Sequence, residues 1–274
     1  MSETVEMDEL AYSSRMVSWA PLGKLLFVLS LMIVGLISNS IVVPLCTFTI
    51  GLILMAYSTN MKIPLILGLA IGEAILIMII GSGMISIMGA ADEPALWDGK
   101  LLWFDIHMTE TSFNNAWQIF FRAIAGVTLM LSFASSTPIP HLAHAFKSIH
   151  CPSEVTELIV LIYRYAFLLL EKFLMMLDAA QCRLGYNGAM TTMRSYAGAM
   201  TGTFIFSMEL AEKSESALQC RNYTGYFPVF HQPSKMSVLW VVVSIGLAVA
   251  LYYVGTQTVG LINMKDVFAP LFGW

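Results

Sequence analysis

Apolar residues in this chain run in long unbroken stretches rather than in the alternation of a half-buried strand. The first two stretches, Leu22 to Ile37 and Ile41 to Tyr57, flank a polar Ser38-Asn39-Ser40 break, which predicts a helical pair joined by a hairpin tip. A third runs from Ile63 to Met88 with a single charge at Glu73, a fourth from Trp117 to Phe133 with Arg122 in its first two turns, and a fifth from Val238 to about Gly255. The hydrocarbon core of a bilayer asks for roughly 20 apolar residues per helix, and about 17 suffice for an upright one. Five membrane spans are therefore expected. Composition points the same way: 57% of residues are hydrophobic and only 12% are charged, against about 25% charged in a typical soluble domain.

Between the fourth and fifth spans the pattern changes. In SSTPIPHLAHAFKSI, Thr137 can cap a helix whose first turn tolerates Pro138 and Pro140, and Leu142, Ala145, Phe146 and Ile149 then share one face, as in a short helix at the bilayer surface. The next stretch, VTELIVLIYRYAFLLLEKFLMMLDAAQCR, is apolar enough to resemble a sixth span, yet Glu157, Arg164, Glu171 and Asp178 recur every seven residues. On a helix these four form one slowly drifting polar stripe, and burying them in lipid would cost several kcal/mol, a few for each group. A long helix half submerged at the membrane face, or packed against another helix, avoids that cost; a tilted span with internally paired charges is the alternative. A second charged helix is expected from about Thr203 to Arg221, with Glu209, Glu212, Lys213 and Ser216 on one face. The fold class is thus an all-α integral membrane protein, with about five transmembrane helices and long amphipathic cytoplasmic helices between the fourth and the fifth. The corresponding segments are 1–137, 138–235 and 236–274, without a linker or low-complexity stretch.

Charge sets the orientation. Eight of the fourteen Lys and Arg residues, Lys147, Arg164, Lys172, Arg183, Arg194, Lys213, Arg221 and Lys235, lie between the fourth and fifth spans, which predicts that this region is cytoplasmic. The segment from Ala91 to Ala116 carries Asp92, Glu93, Asp98, Asp105 and Glu110 against Lys100, with Trp97, Trp103 and Trp117 suited to an interface, and is expected outside. Four crossings then put the N-terminus inside, with Arg15 and Lys24. The start, MSETVEMDEL, lacks the basic and apolar regions of a secretory signal. Cys46, Cys151, Cys182 and Cys220 fall in a span or in the basic region, so free thiols are expected in a reducing cytosol.

Each amphipathic helix closes on the same triplet, Gln181-Cys182-Arg183 and Gln219-Cys220-Arg221, followed by a residue tolerant of a left-handed helix stop, Gly185 in one case and Asn222 in the other. A cation in the last turn complements the helix macrodipole by about 0.3 to 1 kcal/mol, which accounts for either arginine alone. Two matched copies in a charge-poor chain suggest more. A guanidinium at a helix end can pair bidentately with a carboxylate on a partner, so two copies imply two partner surfaces or one dimer.

At these residues the chain resembles the transmembrane T component of energy-coupling-factor transporters, in the CbiQ branch associated with cobalt uptake. SSTPIPHLAHAFKSI, LIYRYAFLLLEKF, AAQCRLGYNG and ELAEKSESALQCRNYTG follow the family's order, so the resemblance covers most of the chain from Ser135 onward. It implies a membrane scaffold whose two coupling helices each end in a short Ala-Arg-Gly-like motif that docks into a groove on one of two ABC-type ATPases. It also implies a membrane substrate-binding subunit as partner, cobalt as cargo with nickel or a vitamin as the competing cargoes, residence in the cytoplasmic membrane, and no chemistry of its own. Arg183 and Arg221 carry over as the coupling arginines. Cys182 and Cys220 replace the usual Ala, and Leu184 and Asn222 stand where Gly or Ser is common. No G-x-x-x-x-G-K-[ST] run occurs, so a nucleotide site is expected on another chain; nothing suggests nucleic acid as a partner.

Other residues invite chemistry. His141, His144, His150, Cys151 and Glu154 cluster in sequence but lack the spacing of a structural metal site, and interfacial histidines explain them equally well. Glu73, well inside a span, could bond a partner subunit, sit within the bundle or pair with Arg122. The nineteen methionines read as adaptable packing. A membrane enzyme using His141, His144, Glu73 or Asp178 is the second class considered, but no H-E-x-x-H or G-x-S-x-G motif supports it. A self-contained carrier would show repeated halves, and none are evident.

Overall fold

The structure, a computed structural model, describes residues 10–60, 65–87, 95–101, 104–146, 149, 151–223 and 237–259. The chain divides into two compact units, Met1–Pro138 with Pro233–Trp274, and Ile139–Gln232.

The first unit holds the apolar helices: α1 (Pro21–Ile37), α2 (Val42–Ser58), α3 (Leu65–Ile87), α4 (Glu110–Ala134) and α8 (Val238–Gln257). Among the described residues α3, α4 and α8 are long and apolar enough to cross a membrane, and α1 and α2, at 17 residues each, lie at the short end of that range. Pro21 opens α1 at a position where its missing N–H costs nothing. α4 begins at Glu110, earlier than its apolar run, because Thr109 caps it by accepting from the Ser112 N–H.

Val28, Leu31, Val34, Val43, Leu129 and Leu251 form the buried core, drawn from α1, α2, α4 and α8. Small residues let these helices approach. A Cβ at Gly23 would fall 2.6 Å from the Trp240 ring, and one at Gly255 2.9 Å from Ser38 and Val43. Two cations inside this unit give their donors to backbone carbonyls. Arg122 donates to the Ser38 carbonyl, where α1 has run out of intrahelical partners and its dipole is negative. Lys24, 4% exposed, donates to the carbonyls of Met16 at 3.0 Å and Ser136 at 2.7 Å. Beside it, Ser58 shares a 2.9 Å hydrogen bond with Ser14. Lys24 therefore holds together the turn before α1 and the residues that follow α4.

A β-hairpin, β1 (Ala95–Leu101) paired antiparallel with β2 (Phe104–Thr109), precedes α4 in the acidic segment expected outside, where no strand was expected. Its signal was present, since Phe104-Asp105-Ile106-His107-Met108-Thr109 alternates apolar and polar residues with the period of a strand. With that exception the regular structure of the described residues is all-α.

The second unit contains α5 (Ile139–Phe146), α6 (Ser153–Cys182) and α7 (Ala189–Cys220). α7 starts fourteen residues before the expected Thr203. Residues 189–202 include Thr191, Thr192, Gly198, Thr201 and Gly202, which are weak helix formers, but here the segment packs on α6: Ala199 is buried, and Gly202 lets the Met176 sulfur lie 2.9 Å from where a Cβ would be. The two helices run antiparallel along their whole length. Tyr186 stacks near Tyr196, Thr203 meets Met176, Lys172 lies over Phe206 at 5.3 Å, and Tyr165 donates to Ser214 at 2.7 Å. α6 is not among the helices apolar enough to cross; Arg164, Glu171 and Asp178 of its polar stripe are exposed, and it packs against another helix.

Lys24→Met keeps the apolar stem but removes the ammonium from the Ser136 carbonyl and leaves the Met16 carbonyl only the Trp19 N–H, which should lower stability by about 1–3 kcal/mol and reduce the thermal midpoint of the detergent-solubilised protein; an unchanged midpoint would contradict the tie described above.

Candidate coupling surface

The two triplets occupy the same place in two helix ends. In α6 the C-cap is Arg183 and in α7 it is Arg221, and in each the following residue adopts the left-handed conformation, Leu184 with φ 58° and Asn222 with φ 51°. The hydrogen bonds match as well. The Leu184 N–H donates to the Gln181 carbonyl at 3.0 Å and the Gly185 N–H to the Ala180 carbonyl at 2.8 Å; the Asn222 N–H donates to the Gln219 carbonyl at 3.1 Å and the Tyr223 N–H to the Leu218 carbonyl at 3.1 Å. Both are Schellman stops, which satisfy carbonyls that the helix itself leaves open.

The first stop departs from the expectation that Gly185 would take the left-handed position. Leu184 takes it, at a cost of roughly 1–2 kcal/mol for a residue with a Cβ. Gly185 is required one residue later for room: a Cβ there would lie 2.5 Å from the Ser195 hydroxyl and 2.7 Å from the Ala180 carbonyl oxygen. The turn is then braced from both sides, Ser195 donating to the Gly185 carbonyl at 2.8 Å and the Tyr186 hydroxyl to the Leu177 carbonyl at 3.1 Å. Gly188, with φ 102°, reverses the chain into α7.

A tyrosine braces the second stop too. The Tyr223 hydroxyl donates to the Glu157 carboxylate near the other end of α6, and that bond, more than burial or the charge of Glu154, pushes its pKa up to about 12. Tyr186 is also raised, by burial first and then by Tyr196 and Asp178. The role of these two tyrosines was not read from sequence, although each triplet is followed by one within three positions.

These braces fix what is presented. Gln181, Cys182, Arg183 and Leu184, and Gln219, Cys220, Arg221 and Asn222, are all exposed, and all four cysteines are free. Neither Arg183 nor Arg221 has a side-chain partner among the described residues. Because α6 and α7 are antiparallel, Arg183 sits at the hairpin turn and Arg221 at the opposite end. The pairing of Gly185 with Ser195 and of Glu157 with Tyr223 sets Arg183 level with about residue 197 of α7, so at a rise of roughly 1.5 Å per residue the tips stand about 36 Å apart. Around the second tip, Lys213 pairs with Glu209 at 2.5 Å, which holds the Glu209 carboxyl below its ordinary value.

The remaining candidates separate from this surface. Glu73 is exposed near the middle of α3 and does not pair with Arg122, whose guanidinium is turned to Ser38 and Asn39. His141 lies in α5; the His144 side chain and His150 fall outside the described residues. Among the described residues no group of three or more His, Cys, Asp or Glu could hold a metal ion.

Over residues 13–234 the chain matches the family described as CbiQ, cobalt transport protein. The chain belongs to the CbiQ family. It is similar to an uncharacterized protein of Methanocaldococcus jannaschii, 27% identical over 240 residues that cover 86% of this chain and 87% of the relative. The cobalt transport protein CbiQ of Salmonella typhimurium is 25% identical over 231 residues, 81% of this chain and 98% of the relative. A putative fused cobalt transport protein CbiMQ of Methanocorpusculum labreanum is 26% identical over 230 residues, which cover 80% of this chain and 36% of that longer protein. The apolar helices and the CbiQ membership together make this chain a membrane component of a transporter.

Leu184→Gly should relieve the left-handed strain and, after the added freedom of the unfolded chain is subtracted, raise stability by roughly 0.5–1 kcal/mol, whereas Gly185→Val should lower it and loosen the α6–α7 turn. Thermal unfolding of both variants checks the assignment, which fails if Leu184→Gly destabilises or Gly185→Val is neutral.

Proposed function

We propose that this protein is the transmembrane coupling subunit of an energy-coupling-factor type ABC importer, with cobalt ion as the cargo of the assembled transporter. The observation that carries this reading is the pair of matched helix stops at opposite ends of one helical hairpin, each presenting an exposed arginine without a partner among the described residues. Two tips about 36 Å apart suit two docking grooves on two ATPase subunits better than a single pocket. Each guanidinium can form a directed, bidentate pair with a carboxylate in its groove. The small thiols of Cys182 and Cys220 fit beside it where the family usually has Ala.

In this reading ATP is bound and hydrolysed by the ATPases, and this chain performs no chemistry itself. Motion of either ATPase pulls on an arginine tip, and the tip is tied by its Schellman bonds and its tyrosine to a helix of 30 or 32 residues. Such a helix moves as a stiff lever rather than absorbing the pull. The load passes to a membrane subunit that binds the cargo. The Methanocorpusculum relative, a putative fused cobalt transport protein CbiMQ, supports a second component working beside this one. The basic residues of the second unit support its placement at the cytoplasmic side, with the N-terminus on the same side.

Arg183→Glu with Arg221→Glu places like charge against the acidic grooves and should cut ATPase co-purification at least tenfold, with the variant still membrane-inserted and unchanged in elution. Each single reversal should lose about one of the two ATPases. Full ATPase capture and metal uptake by the double variant would overturn the coupling role.

A further inference from the structure

α3 packs through one side onto α4 and β2 and leaves the opposite side open. Leu69, Gly72, Glu73, Leu76 and Ile80 fall at helical spacing on that open side and all are exposed. Gly68 and Gly72, four residues apart on the same side, would meet nothing within 4 Å if each carried a Cβ. Glu73 is the ninth residue of this 23-residue helix, within about one turn of the bilayer midplane for a span of this length. No hydrogen bond or ion pair engages its carboxyl among the described residues, and Arg122 and Lys24, the two cations placed on neighbouring helices of this unit, are committed to backbone carbonyls.

We propose that this face of α3 docks a transmembrane helix of the substrate-binding membrane subunit, one that presents a hydrogen-bond donor, cationic, amide or hydroxyl, to Glu73 while its backbone lies close against Gly68 and Gly72. The assignment of the partner rests on the coupling reading above. A carboxyl facing hydrocarbon gains from any donor brought to it, and two glycines on the same face let another helix approach closely enough to deliver one. A second copy of this chain fits less well. A two-fold pairing through this face sets Glu73 against Glu73 and supplies neither a cation nor an amide. Lipid alone leaves the carboxyl without a donor at this depth.

The test uses the complete transporter isolated from native membranes, with the photo-reactive residue benzoyl-phenylalanine replacing Leu69 or Leu76, and the adducts mapped by mass spectrometry. Both positions should crosslink to one transmembrane helix of the substrate-binding subunit, with a Lys, Arg, His, Asn, Gln, Ser or Thr within one turn of the crosslinked residue. Adding Glu73→Leu or Gly72→Leu should reduce adduct yield at least tenfold while ATPase capture by the same samples is unchanged, which shows the variants are folded. Adducts only to lipid, to a second copy of this chain, or to a helix without such a donor overturn the proposal, and these outcomes are read in the protein with native Glu73, so they do not depend on a variant folding. An adduct yield unmoved by Glu73→Leu overturns it as well. If the ATPase pair is absent from the isolated complex while the adducts form as described, the coupling reading fails and the membrane contact stands.

Discussion

The last carbonyls of an α-helix have no intrahelical donor, and a helix that ends in the open must find one or lose its final turn. α6 and α7 meet this requirement in the same way, with two backbone bonds thrown back over a left-handed residue. This closure decides where each arginine points. The C-cap residue is the last whose position the helix controls, so a side chain there projects beyond the helix end while its backbone stays rigid. The left-handed residue then turns the chain aside and clears the approach to the guanidinium. In the proposed coupling role, a motor protein pulls on a point whose backbone is fully bonded and whose direction is set.

The antiparallel pairing of α6 and α7 places the two copies of this device at opposite ends of one body. Contacts from Tyr186–Tyr196 at the turn to Glu157–Tyr223 at the far end keep the helices aligned. The tyrosines make each tip depend on the other helix: Tyr223 of the second stop leans on α6, and the first stop is held by Ser195 of α7. Displacing one tip without the other therefore strains the hairpin. The membrane unit handles polarity differently. Lys24 and Arg122 satisfy backbone carbonyls where helices begin and end, so both cations are structural and neither is left to face a partner. Glu73 is the contrasting case, a carboxyl on an open apolar face.

Much of this was legible in the sequence because the physics involved is local. Long apolar runs located four of the five apolar helices to within about two residues and the end of α4, whose capped start lies seven residues before its run, and the repeated Gln-Cys-Arg triplet marked both helix ends. What escaped depends on contacts between distant residues. α7 begins at Ala189 rather than near Thr203 because Gly202 and Ala199 admit α6 at close range, which residues 189–202 do not announce by themselves. Leu184 bears the left-handed strain because Ser195, ten residues on, occupies the space any side chain at 185 would need. The β-hairpin before α4 rests on an alternation confined to Phe104 to Thr109, whose strand pairing with Ala95–Leu101 is a contact that periodicity alone does not fix. Pairing of Glu73 with Arg122 looked open because sequence fixes neither depth nor direction, and the Ser38 carbonyl claims the guanidinium first.

The central claim is that one antiparallel helical hairpin carries the two arginine tips at its opposite ends. It is tested most directly by spin-labelling Cys182 and Cys220, with Cys46 and Cys151 replaced by serine, and measuring the label separation by pulsed electron paramagnetic resonance. The account predicts a single narrow distribution centred at about 35 Å, from a rise of roughly 1.5 Å per residue along the paired length of α6 and α7. A mean separation below about 20 Å, or a broad spread of distances, would contradict it.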